Sequence, residues 1–342
     1  MTTREEELKA TIDDLTHEGK GILAADESTP TITKRFSAAG IECTEDTRRA
    51  YRELLLTTPG IGSHIGGVIL YEETLGQKTN DGVLLAEVAR RQGIVPGIKV
   101  DKGLTDLVNA PGDRITQGLD GLAERLAHYK QRGARFAKWR NVYPITNTNP
   151  TLLGIKANAE MLARYAALCQ EQGLVPIVEP EVLLDGDHTI ERCAEVTEAV
   201  QHAVFHALHR HYIKMEYIIL KPNMVTPGKA SPHKASPEEV ARYTVMILRR
   251  TVPAAVPTIN FLSGGQSPQE ATRNLNAINI AYPKAPWGLS FSFARALQDT
   301  VLTTWAGDPK NTIAAQHILR RRAELNGLAW LGQYTELMDR TT

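Results

Sequence analysis

Long apolar runs, a surplus of either charge and a cysteine framework are all missing from these 342 residues. No window approaches the roughly 18 continuous apolar residues of a membrane-spanning helix, so the sequence predicts no span. Thirty-nine Lys and Arg balance 39 Asp and Glu. No global field therefore recruits nucleic acid or an anionic membrane, and any anion site must be local. The cysteines, Cys43, Cys169 and Cys193, are an odd and widely spread set, which points away from disulfides and toward a reducing compartment. The opening Met-Thr-Thr-Arg-Glu-Glu-Glu lacks the apolar stretch of a secretory signal. A cytoplasmic protein is the expectation.

Alternation is what the sequence has in quantity. Leu8, Ile12 and Leu15 recur at helical spacing among charges and predict an N-terminal helix over 4–17. Short apolar runs bounded by turn signals read as buried strands. They begin near Gly21, Gly66, Val95, Arg135, Val175, Tyr217, Thr258 and Trp287. Helical stripes fall between them, such as Leu119, Leu122, Leu126 and Tyr129, or Val196, Val200, Val204 and Leu208. Ser236-Pro237-Glu238-Glu239 and Ser267-Pro268-Gln269-Glu270 each offer serine as N-cap, proline at N1 and glutamate at N3. A last helix is expected over about 309–331. Strands alternating with helices imply a parallel sheet of the α/β class, and eight of them fit a closed (β/α)8 TIM barrel. No linker divides the chain, so a single domain over 1–342 is expected, with an N-terminal helix, a C-terminal helix and a short tail.

In such barrels the reacting groups gather at the C-terminal ends of the strands. The apolar runs deliver Asp26, Lys99, Lys138 with Arg140, Glu179 with Glu181, Lys221, Ser263 and Arg295 to that rim. Lys221 ends the run Tyr217-Ile218-Ile219-Leu220, where an amine loses hydration and becomes a candidate nucleophile. Lys138 and Arg140 share one face of their strand. A Lys138 beside Lys221 would favour the neutral amine by repulsion. Glu179 and Glu181 form a carboxylate pair suited to acid–base work. Leu262-Ser263-Gly264-Gly265-Gln266 and the helix start around Arg295 resemble the phosphate cradle that barrels build from their last two loops. Lys99, Arg140 and Arg35 offer a second anion site. Two anion sites flanking one amine suggest a bis-phosphorylated carbonyl substrate.

Other signals carry less. His202, His206, His209 and His211 share a helix expected on the outer layer, with no HExxH, and read as a solvated face. Gly60, Gly62 and Gly66 do not make GxGxxG. The rim itself is also compatible with a phosphosugar isomerase using Glu179 as base, or with a binding scaffold.

The ordered set Gly21–Ser28, Gly66–Leu70, Gly97–Gly103, Phe136–Arg140, Val175–Glu181, Leu220–Gly228 and Phe261–Ser267 closely resembles class I fructose-bisphosphate aldolase over about residues 4–334. The resemblance implies metal-independent cleavage of fructose 1,6-bisphosphate to dihydroxyacetone phosphate and glyceraldehyde 3-phosphate, with no cofactor beyond a Schiff base on Lys221. It implies Glu179 as acid–base group supported by Glu181, Lys138 as electrostatic aid, and Asp26 orienting Lys221 and substrate hydroxyls. It assigns Ser263, Gly264 and Arg295 to the C1 phosphate, and Lys99, Arg140, Arg35 and Thr31 to the C6 phosphate. A cytosolic, glycolytic homotetramer acting on a small sugar phosphate is implied, with no nucleic-acid or membrane partner. Three departures stand out. The chain closes Asp339-Arg340-Thr341-Thr342 without the long tail and terminal tyrosine of the animal enzymes, so another group is expected to protonate the enamine or that step is slower. Ala294 stands where many relatives have glycine, and Thr31 where they often have serine.

Overall fold

Every one of the eight apolar runs contributes a strand. The computed structural model describes residues 3–340; Met1, Thr2, Thr341 and Thr342, the ends of the expected 1–342 domain, lie outside the described residues. The strands are β1 (Gly21–Ala25), β2 (Ile65–Leu70), β3 (Val95–Lys99), β4 (Leu104–Asp106), β5 (Arg114–Thr116), β6 (Phe136–Tyr143), β7 (Val175–Val182), β8 (Ile219–Leu220), β9 (Thr258–Phe261) and β10 (Gly288–Phe293). Eight of them close into a parallel barrel in the order β1-β10-β9-β8-β7-β6-β3-β2. The fold is the (β/α)8 barrel read from the sequence.

Side-chain alternation divides the core into two clusters. Leu23, Ala25 and their counterparts on other strands face the helical layer, where Trp139 packs on Tyr165 with ring centroids 5.6 Å apart. Ile22, Ala24, Ile69, Val95, Phe136, Val175, Ile177 and Ile219 fill the barrel near the strand starts. Leu8, Ile12 and Leu15 of the helix Arg4–Leu15 join this inner cluster, so the N-terminal helix stoppers the barrel from below. Thr3 and Glu6 close a capping box at its start. Phe136 has room only because its neighbours lack side chains. A Cβ at Gly97 would meet its ring at 2.2 Å, and one at Gly67 would meet Leu15 at 2.5 Å.

The helix-start signatures at Ser236 and Ser267 cap Pro237–Thr251 and Pro268–Ala281, and the last long helix is Thr312–Trp330. Two features differ from expectation. The lysine strand is only two residues long, because Met215–Tyr217 turns as a 3-10 helix and Pro222 cannot donate to a ladder. The antiparallel hairpin of β4 and β5 was not foreseen; its strands are short and carry no alternation that distinguishes them from a loop.

Candidate active site

Four ionisable side chains converge where apolar filling ends. Lys138 lies on β6 and Glu179 on β7; Lys221 follows β8 and Asp26 follows β1. All four are between 4% and 8% exposed, so their charges must satisfy one another. The Lys138 Nζ lies 2.8 Å from Asp26 Oδ2 and 3.4 Å from Glu179 Oε2. The Lys221 Nζ lies 3.3 Å from Glu179 Oε1. Glu179 thus stands between the two amines, one oxygen to each. The sequence reading considered Lys138 beside Lys221 without a carboxylate between them; the register that inserts Glu179 there is set by barrel closure.

Burial works against both members of the Asp26–Lys138 pair and is overridden in both. For Asp26 it would raise the carboxyl, but Lys138, Lys221 and Lys99 hold it down at about 2. For Lys138 it would lower the ammonium, but Asp26, Glu179 and Asp101 push it well above the ordinary lysine value, and this lysine stays charged. A carboxyl lowered in the folded chain stabilises fully above its unfolded value near 4 and loses that contribution as pH falls through about 2. Between pH 5 and pH 2 the wild type should lose about 2 kcal/mol that Asp26→Asn does not lose, read by urea denaturation at the two pH values.

Glu181 takes a separate partner, accepting from Arg140 Nε. The two glutamates therefore each pair with their own cations. At the loop after β9, Gly264 and Gly265 have φ of +57° and +88°, a left-handed turn that favours glycine. Their N–H groups engage no backbone carbonyl among the described residues. Arg295 begins the helix Arg295–Trp305, and its Nη2 would lie 3.4 Å from a Cβ at Gly265. Ser263, Gly264 and Arg295 are thus brought together at a helix N-terminus, an arrangement that suits an anion.

Across the mouth, Lys99 of β3 is in register with Lys138, and its Nζ donates to the Asp101 carbonyl at 3.0 Å and to the Asp101 carboxylate. Arg140 follows two residues after Lys138 on the same face. Arg35 keeps different company. It is gripped by Glu27 and, at 3.1 Å, by Asp299, which also lies within electrostatic reach of Arg295. Arg35 therefore stands with the Arg295 corner. Thr31 is exposed in the first turn of Thr29–Ala38, its hydroxyl 3.1 Å from that of Ser28.

The chain as a whole is similar to known proteins. The sequence model of the family described as "Glycolytic: Fructose-bisphosphate aldolase class-I" matches residues 7–342. The chain belongs to the class I fructose-bisphosphate aldolase family. A fructose-bisphosphate aldolase of Dictyostelium discoideum is 55% identical over 96% of this chain and 93% of its own length. A probable class 1 aldolase of Xanthomonas campestris pv. campestris is 54% identical over 96% and 98%. The Plasmodium falciparum aldolase, solved in a ternary co-crystal with TRAP and a small-molecule inhibitor, superposes with a TM-score of 0.95 at 51% identity, covering 97% of this chain and 96% of that one.

Ala294 has φ −102°, so its methyl meets no left-handed strain before the helix Arg295–Trp305. His202, His206 and His209 are exposed on Ile190–Arg210, and no metal-holding group of three His, Cys, Asp or Glu occurs among the described residues. Sequence reasoning missed the carboxylates that aim the cations: Asp101 for Lys99, and Glu27 and Asp299 for Arg35. It also missed Ser292 of β10, in register with inward-facing Ile22, whose buried hydroxyl has no partner among the described residues. Its alternation with Phe291 and Phe293 was the available signal.

Proposed function

We propose that this aldolase-family chain cleaves fructose 1,6-bisphosphate through an imine on Lys221. The observation that carries the reading is the buried Lys221–Glu179 contact at 3.3 Å beside a Lys138 kept charged by Asp26. Lys221 passes a proton to Glu179 across their 3.3 Å contact, the freed amine attacks the C2 ketone, and Glu179 gives the proton back to the carbinolamine hydroxyl, which leaves as water. The iminium then draws electrons. Glu179 removes the C4 hydroxyl proton, the C3–C4 bond breaks into the iminium as an enamine, and glyceraldehyde 3-phosphate departs. Protonation of the enamine and hydrolysis of the iminium release dihydroxyacetone phosphate and regenerate the amine.

Lys138 stabilises negative charge developing on substrate oxygens, and Asp26 orients Lys138 and the hydroxyls. Ser263, Gly264 and Arg295 hold the C1 phosphate, joined by Arg35 through the shared Asp299; Lys99, Arg140 and Thr31 serve the C6 phosphate, and Glu181 aims Arg140. Class I membership implies Schiff-base chemistry without metal. One domain carries all of this, since a single core cluster extends from Leu23 to Tyr334. A cytoplasmic setting is supported by relatives named cytosolic, one of them from Arabidopsis thaliana at 54% identity. A homotetramer would cover exposed apolar side chains such as Val108, Tyr212 and Ile313.

The test is incubation with fructose 1,6-bisphosphate and coupled detection of triose phosphate. Turnover unaffected by EDTA, with substrate-dependent borohydride labelling at Lys221, is expected. Absence of triose phosphate, or its loss with EDTA, would refute the reading.

A further inference from the structure

The segment bearing the nucleophile is poorly supported by sheet. β8 pairs with β7 only at Ile177↔Ile219 and Val178↔Leu220, and with β9 only at Ile219↔Thr258 and Leu220↔Ile259. Two further backbone bonds, Lys221 N to the Val178 carbonyl at 2.8 Å and Leu262 N to the Pro222 carbonyl at 3.0 Å, end the ladders. Residues 221–228 then run buried without regular structure. Side chains replace the missing ladder. Asn223 accepts from Val182 N at 3.0 Å, tying the segment to the end of β7. On the other flank stands Gln266, 6% exposed. Its Nε2 donates to the Ser263 carbonyl at 3.0 Å and lies 3.7 Å from Met224 Sδ, while its Oε1 accepts from Asn274 Nδ2 at 2.7 Å.

We infer that Gln266 is a positioning residue that fixes the phosphate loop Ser263–Gly265 against the Lys221 segment, so that a bound phosphate sets the carbonyl at the amine. The inference rests on the catalytic reading above. It follows from what the amide touches: the loop that offers N–H groups to the anion, the segment three residues beyond the nucleophile, and a side chain rooted in the helix Pro268–Ala281. Deleting the amide leaves both loops attached to the barrel but free to shift relative to one another. Such a shift of an ångström or less costs alignment while leaving the amine intact.

A phosphate anchor and a bare carbonyl separate the two roles. Wild-type protein and Gln266→Met are incubated with borohydride and either dihydroxyacetone phosphate or dihydroxyacetone, and the rate of reductive trapping at Lys221 is followed by mass spectrometry. The wild type should trap the phosphate ester far faster. In Gln266→Met that preference should fall about tenfold, with the dihydroxyacetone rate within about twofold of wild type. Asn274→Ala, which frees the far end of the amide, should move the preference the same way by about threefold and carries the test if Gln266→Met does not fold. A preference unchanged in the variants, or equal slowing with both compounds, overturns the positioning role. Wild-type protein that traps neither compound overturns the Schiff-base reading itself.

Discussion

Replacing Lys221 by arginine should lower triose phosphate release from fructose 1,6-bisphosphate by at least about four orders of magnitude and abolish borohydride labelling, the scale on which losing a covalent nucleophile acts. A guanidinium is planar, always protonated and unable to form the imine. It nonetheless keeps a cation facing Glu179 Oε1, which Lys221 approaches at 3.3 Å, so the buried carboxylate is not orphaned. The fold should therefore survive, and unchanged circular dichroism would separate lost chemistry from lost structure. Appreciable residual turnover would mean that another group performs the attack. Lys138 is the nearest alternative amine, but Asp26 and Glu179 hold its proton in place.

Glu179→Gln should be the next most damaging change, reducing kcat by about 10²–10⁴, the range associated with loss of general acid–base catalysis. Three proton transfers depend on this carboxylate in the proposed sequence, and an amide performs none of them. The substitution also removes the carboxylate in contact with Lys221, leaving it the field of Asp26, while Lys138 keeps its ion pair with Asp26. Loss of kcat should exceed any change in KM, since no phosphate-holding side chain is touched. Single-turnover kinetics will distinguish the affected steps: carbinolamine dehydration and C3–C4 cleavage should both slow. If kcat stayed within a few fold of wild type, Glu181 or solvent would have to carry the protons.

Much of this architecture was readable before any coordinates. Eight apolar runs closing into a barrel, with Asp26, Lys138, Glu179 and Lys221 on one rim, follow from period and topology. Pairing was not readable. Which carboxylate meets which cation depends on the stagger of strands around the closed barrel, and a string of residues carries no direct record of it. Hence Asp101 beside Lys99, Glu27 and Asp299 around Arg35, and Glu179 between two lysines had to be seen. The brevity of β8 was hidden for a related reason. Tyr217 and Ile218 are good strand formers, yet Met215–Tyr217 is drawn into a turn and Ile218 is left outside the ladder.

Inner side chains fill the barrel near the strand starts and Leu8, Ile12 and Leu15 close it from below, which leaves the four ionisable groups to be reached from the strand-end side. In the proposed cycle release is ordered by covalency: the aldehyde half of the cleaved sugar leaves first, while the other half is still held on the Lys221 nitrogen. In the synthetic direction the queue reverses, with the ketose phosphate entering ahead of the aldehyde.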